Sequence, residues 1–262
     1  MKPGKQYEGY WDNEDLVNQL KNEVFALMEE MHPGKELVWI FDNSSNHHAK
    51  CKDGLCVKKL QKFDGGKQPV MRDSVWNGQP YNMQNERGQQ KGAMRIIEDR
   101  LGYYPPHMNL QCKTWPNCDP VNQQCCAKKI VADFDDFKAQ RAWLVETVED
   151  RGHTIIFLPK FHCELNFIEM VWGYVKAYLR RHCSFNFNDL VQALPDCRDN
   201  RIPLKFFKRA RRHCYRFMQG YRDGLKGPLL DYAIKKYSSH RRIPAIVLET
   251  IKSDFDAYKR AN

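Results

Sequence analysis

Apolar residues recur on one face of residues 13–31: Leu16, Leu20, Val24, Leu27 and Met31. That spacing predicts an amphipathic helix. Asp12 is its N-cap, Asp15 lies in its first turn, and His32-Pro33-Gly34 stops it. Residues 37–41 are then continuously apolar and end at Asp42, the pattern of a strand buried on both faces of a parallel sheet. A similar unit follows later. Residues 135–151 predict a helix burying Phe137, Leu144, Val145 and Val148, with Gly152 as C-cap. Thr154 through Leu158 form the matching apolar run, closed by Pro159. Two such strands joined through a helix make a right-handed crossover. A stable sheet needs at least three strands, so a further strand or hairpin is expected.

Residues 43–132 break this regularity. They are rich in Gly, Pro, Asn and Gln and hold six of the ten cysteines. Trp76-Asn77-Gly78 is a hairpin signal, and residues 91–101 predict a short helix stopped by Gly102. The stretch is too long for an ordinary loop and reads as an inserted subdomain. Beyond Pro159 the pattern turns helical. Residues 167–182 carry Ile168, Trp172, Val175 and Leu179 on one face. Residues 187–194, 204–221 and 244–258 predict three more helices.

Charge changes the picture of that last third. The chain carries 42 basic and 32 acidic residues, a net +10. Residues 198–242 alone hold 14 Lys/Arg against 3 Asp, so the excess is confined there. A local basic excess points to a polyanion, most often nucleic acid; a solvated helix face is the plainer reading. In residues 204–221, Phe207, Ala210, Cys214, Phe217 and Tyr221 can face a core. Lys205, Lys208, Arg209, Arg212 and Arg216 lie on the opposite side, suited to phosphate rather than base contact. No apolar run reaches the length of a membrane span, and the first residues lack a signal-peptide core.

Several residues could carry chemistry. Asp42 follows a strand at its carboxyl end, where open α/β sheets place their sites, and Asn43 and His47 follow it; a carboxylate that merely closes a turn is the alternative. Glu169 borders an apolar helix face, but with Asn166 as N-cap it also has capping-box spacing. Cys112, Cys118, Cys125 and Cys126 offer four thiols within fifteen residues. They are read either as structural zinc ligands or as buried thiols.

Leu158-Pro159-Lys160-Phe161-His162-Cys163-Glu164-Leu165-Asn166-Phe167-Ile168-Glu169, continuing to Trp172, resembles the LP-x-x-SP-x-LNPIE-x-x-W signature of mariner-like DDE transposases. Asp42-Asn43-Ser44-Ser45-Asn46-His47 resembles the DN-x-x-x-H signature of the same superfamily. GGKQPVMRDSVWNG and the later CC-A-K-K-I resemble a fungal-type branch. The resemblance implies an RNase H-like fold in which three carboxylates hold two Mg²⁺ or Mn²⁺ ions for DNA cleavage and strand transfer. It implies Asp42 as second acid and Glu169 as third, close enough to share a metal, with His47 beside the scissile phosphate. Phe167 stands where the family has Pro, and His162-Cys163 where it has Ser-Pro. The family's first acid lies on an early strand, upstream of the stretch that residues 2–11 resemble, and no residue here matches it.

The expected architecture is therefore α/β: an RNase H-like mixed sheet with flanking helices, incomplete at its N-terminus. Residues 1–50 and 133–185 would form the catalytic core, 51–132 the Cys-containing insertion, and 186–262 a basic helical region. The expected function is that of a truncated and impaired DDE-type transposase. The rival is a non-enzymatic nucleic-acid-binding module derived from one. Expected partners are DNA and no membrane, with a homo-oligomer left open. The expected location is nuclear.

Overall fold

The computed structural model describes residues 9–104, 107–118, 121, 124–184, 186–240 and 242–261. Residues 2–8 of the stretch singled out above lie outside them, as does Arg241 of the basic segment. The chain is a helix-rich mixed α/β protein in two compact units, residues 1–156 and 157–262.

The first unit opens with α1 (Asn13–Gln19), a π-helical turn (Leu20–Val24) and α2 (Phe25–Met31). Asp12 caps α1 through Glu14 and Asp15 amides at 2.7 and 3.2 Å, while Asp15 returns a bond to the Asp12 amide at 2.9 Å. The wide turn, in which the Phe25 amide bonds Leu20 O, slips the apolar stripe by one residue. Val17, Leu20 and Phe25 are therefore buried, whereas Leu27 and Met31, expected on the core face, are exposed. Strand β1 (Val38–Phe41) follows, and then a hairpin of β2 (Ser74–Trp76) and β3 (Gln79–Tyr81). The hairpin turns at Asn77-Gly78, both with positive φ (50° and 77°). That is the conformation a two-residue primed turn requires.

Helices α3 (Ala93–Leu101), α4 (Ala127–Asp133), α5 (Asp135–Ala139) and α6 (Trp143–Glu149) come next, ahead of strand β4 (Thr154–Phe157). Residues 135–151 are thus two helices, not one. Extended backbone at Gln140 and Ala142 breaks them apart. Bonds from elsewhere in the unit hold the break: Leu55 N–H donates to Gln140 Oε1 at 3.0 Å, and Trp143 N–H to Ala49 O at 2.9 Å.

The main core of this unit comes from the segment read as an insertion. Leu55, Leu60, Met71, Met83, Met94, Ile96, Ile97, Ile130 and Val131 are buried together, joined by Phe134 and Phe137. Gly92 lets α3 start against the chain before it, since a Cβ there would lie 2.4 Å from Phe63 C. The hairpin forms a sheet of its own. β1 and β4 form the other two-stranded sheet, and the Thr154 amide bonds Leu37 O at 2.9 Å. That bond joins the beginnings of both strands, the arrangement of a parallel pair. Neither strand is buried on both faces: Val38, Ile40 and Ile156 are exposed at 56, 62 and 47%. Trp39, on the inner side, packs edge-on against Phe25 at 5.3 Å.

The second unit contains α7 (Phe167–His182), α8 (Phe187–Asp196), α9 (Leu204–Arg222), α10 (Gly227–Lys236) and α11 (Ile251–Ala261). The expected terminal helix is split into a 3-10 turn (Ala245–Val247) and α11. Phe217, Leu225, Leu230, Ala233, Ile234, Ile243 and Ile251 form its core. Gly220 brings α9 and α10 together, because a Cβ there would overlap Leu230 Cδ1 at 2.2 Å. Among the described residues, no helix is long and apolar enough to cross a membrane.

Candidate functional site

Asp42 leaves the end of β1 into a tight turn in which His47, His48 and Ala49 amides bond Ser44, Ser45 and Asn46 carbonyls. The turn folds His47 back onto the strand end. Its Nδ1 lies 2.8 Å from Asp42 Oδ1 and 3.1 Å from Asp42 O. Both neighbours are acceptors, so Nδ1 carries a proton; when the ring is neutral, that leaves Nε2 as an acceptor. The ring packs at 66° on Phe41, with centroids 5.3 Å apart. The Ser44 amide also bonds Asp42 Oδ1, at 3.1 Å. The Asp-x4-His spacing thus builds an acid–imidazole pair at the mouth of a strand. Asn43 accepts from His48 Nε2 at 2.9 Å, a link that bridges the same turn.

Glu169 lies in the first turn of α7, in the second unit, with its side chain exposed. Asn166 caps the helix, accepting from Ile168 N at 3.4 Å. The Asn166 amide itself donates to Cys163 O at 3.0 Å. The donor that a capping-box glutamate would take is therefore already used. Glu164, another acid of the same segment, faces the unit's interior. Its Oε1 accepts from Tyr221 OH at 2.5 Å and lies 2.7 Å from His162 Nδ1. Burial would raise this carboxyl, but the bonds from Tyr221 and His162 prevail and hold it below the ordinary range. Tyr221 is pushed up to about 12, by burial first and by the Glu164 carboxylate second. Phe161, at the head of this segment, is 99% exposed with φ at 64°. Such strain in a bulky residue gathers at functional loops, and no sequence signal marks it.

On α9, Lys205, Lys208, Arg209 and Arg212 are exposed along one stripe. Arg216 departs from that expectation. Its periodicity puts it on the cationic side, but α10 covers that turn of the helix. It is 8% exposed and donates to Ile234 O at 2.8 Å and Tyr237 O at 2.7 Å, satisfying carbonyls at the end of α10. Sequence reasoning missed Arg211 and Tyr215, exposed beside the stripe with the guanidinium 5.3 Å from the ring centre. Their i, i+4 spacing was the available signal.

The four cysteines come together. Cys112 Sγ lies 3.4 Å from Cys118 Sγ and 3.8 Å from Cys125 Sγ, and Cys125 Sγ 3.9 Å from Cys126 Sγ. All four sulfurs lie within 4.8 Å of one another, so they could hold a metal such as zinc. Hydrogen bonds with Thr114 and then Cys118 lower the Cys112 thiol to about 6. Burial raises Cys118 and Cys125.

No protein-family model matches the chain, and no curated protein or solved structure matches it.

Proposed function

We propose that this chain is a transposase-derived protein of the DDE type, with an RNase H-like catalytic core that acts on DNA in the nucleus with impaired activity. The observation that carries this reading is the acid–imidazole pair at the end of β1, where Asp42 meets His47 at 2.8 Å. Asp42 and His47 are the residues matched to the DN-x-x-x-H signature, and Glu169, exposed in the first turn of α7, is the acid matched to the other. Asp42 and Glu169 offer hard oxygen donors, which suit Mg²⁺ or Mn²⁺. When bound, such ions activate water or a 3′-hydroxyl and stabilise the leaving oxygen. His47 orients the Asp42 carboxylate through Nδ1–H and presents Nε2 as a base or acceptor. The stripe Lys205–Lys208–Arg209–Arg212 holds the phosphate backbone. Glu164 does not replace the first acid, because His162 and Tyr221 already engage it.

Cleavage of supercoiled plasmid with Mg²⁺ or Mn²⁺ tests this. Slow nicking at high Mn²⁺, lost in Asp42→Ala and in Glu169→Ala, is the expected result. Robust cleavage with Mg²⁺ that Asp42→Ala abolishes would mean that the active site is complete within this chain, and the impairment would be refuted. The exposed α9 stripe favours a second reading, a DNA-binding module without catalysis. Salt-sensitive DNA binding with no nicking under either metal would establish that reading instead.

A further inference from the structure

The cysteine cluster serves neither DNA binding nor the acid pair, and its geometry has a specific meaning. A tetrahedral zinc–thiolate centre has Zn–S bonds of about 2.3 Å, so its sulfurs stand about 3.8 Å apart. The sulfur pairs here are separated by 3.4, 3.8 and 3.9 Å, and no pair exceeds 4.8 Å. A disulfide needs about 2.05 Å, so the four are not arranged as two bridges. Four thiols converging from both ends of one segment are also more than hydrophobic packing requires, since only Cys126 is fully buried.

The segment itself explains the need. From Gly102 to Cys126 the described residues form neither helix nor strand. Met108, Leu110 and Trp115 nevertheless pack against the first unit's core. Backbone bonds fasten one end: Ala127 N–H to Asn109 O at 3.0 Å and Lys128 N–H to Leu110 O at 2.9 Å. Cys126, the residue before α4, is 0% exposed and sits where that fastening begins.

We propose that Cys112, Cys118, Cys125 and Cys126 bind one structural zinc ion that staples residues 112–126 to the N-terminus of α4 and thereby closes the first unit's core. Each thiol gives its proton to solvent on binding, leaving a centre of net charge −2. Lys129 lies near Cys118 and Cys125, although its first partner is Asp133 Oδ2 at 2.5 Å. Thiolates select zinc over magnesium or manganese, so the centre is chemically separate from any ion at Asp42. The adjacent pair Cys125-Cys126 is an unusual ligand spacing. Extended backbone at Cys126 (φ −162°, ψ 160°) accompanies the convergence of the two sulfurs.

Elemental analysis of the full chain, purified under reducing conditions without chelator, tests this. About one zinc per chain is expected, with loss of it in Cys118→Ser and in Cys126→Ser but not in Cys56→Ser. Cobalt exchanged into the wild type should show the intense visible bands and thiolate charge-transfer of a tetrahedral sulfur site, a readout that needs no variant. Mercurial titration of the wild type should release the metal as thiols react. A metal-free wild type whose ten thiols are all reactive would overturn the proposal. So would a mass reduced by the hydrogens of disulfides, or zinc retained in either cluster variant.

Discussion

Arg100 is enclosed as fully as any side chain of the first unit: its side chain is 0% exposed, and that of Asp136 is 6%. The two meet through paired bonds of 2.8 and 2.7 Å. The guanidinium also lies 4.3 Å from the Tyr81 ring centre and 4.7 Å from those of Trp76 and Phe134. Burial alone would raise the Asp136 carboxyl, but the bonds from Arg100 overcome it and hold it below the ordinary range. Removing one partner of such a pair strands a buried charge and costs about 3–5 kcal/mol. Asp136→Asn should lower urea-unfolding stability by that amount, whereas replacing both residues with apolar ones of similar size should cost far less. The sign of the pH effect follows from the depressed carboxyl. Its contribution is complete above the unfolded value of about 3.9 and disappears as pH falls through the folded value. Wild type should therefore lose stability more steeply below about pH 4 than Asp136→Asn. Parallel curves for the two would exclude this pair as a source of acid sensitivity.

Helix α9 separates residues that its sequence makes look alike. Lys208, Arg209 and Arg212 are exposed, whereas Arg216, one turn on, is spent on the carbonyls of α10. Changing the first three to Ala should weaken DNA binding equally for all sequences. Each should also reduce the slope of log affinity against log salt by about 0.9. Arg216→Ala should leave that slope unchanged but lower stability by about 2–3 kcal/mol, as charged hydrogen bonds to buried carbonyls are lost. Equal slopes for the triple variant and wild type would remove phosphate contact from this helix. The ends of α7 were legible because Asn166 and the period of Ile168, Val175 and Leu179 mark them locally. The Asn77-Gly78 hairpin was legible for the same reason. The turn at Leu20, the break at Gln140 and the burial of Arg216 were not. Each depends on a partner distant in sequence or on a slip of one residue that periodicity does not register. Asp42 and His47 were readable as members of one motif, but their contact needed the fold.

The whole molecule concentrates its burial in two places, around Ile96, Ile97 and Val131 in one unit and around Leu230 and Ile243 in the other. The first of these cores was the least legible part. Leu55, Leu60, Met71 and Met83 are scattered without a period along a stretch rich in polar residues, and only the folded chain gathers them. Asp42 lies outside both cores, on a strand pair whose outer side chains Val38, Ile40 and Ile156 face outward. Opening that pair uncovers its inner side, where Trp39 meets Phe25, but leaves the main core closed, so it should need less than unfolding of the unit. Amide protons should record the difference as time. Those at Ile97 and Val131 should survive in deuterated buffer by orders of magnitude longer than those of β1 and β4. If the strand amides proved equally slow, their outer faces could not be open as described. The acid of the proposed site should thus sit on a part of the fold that opens, in water, more often than the core beside it unfolds.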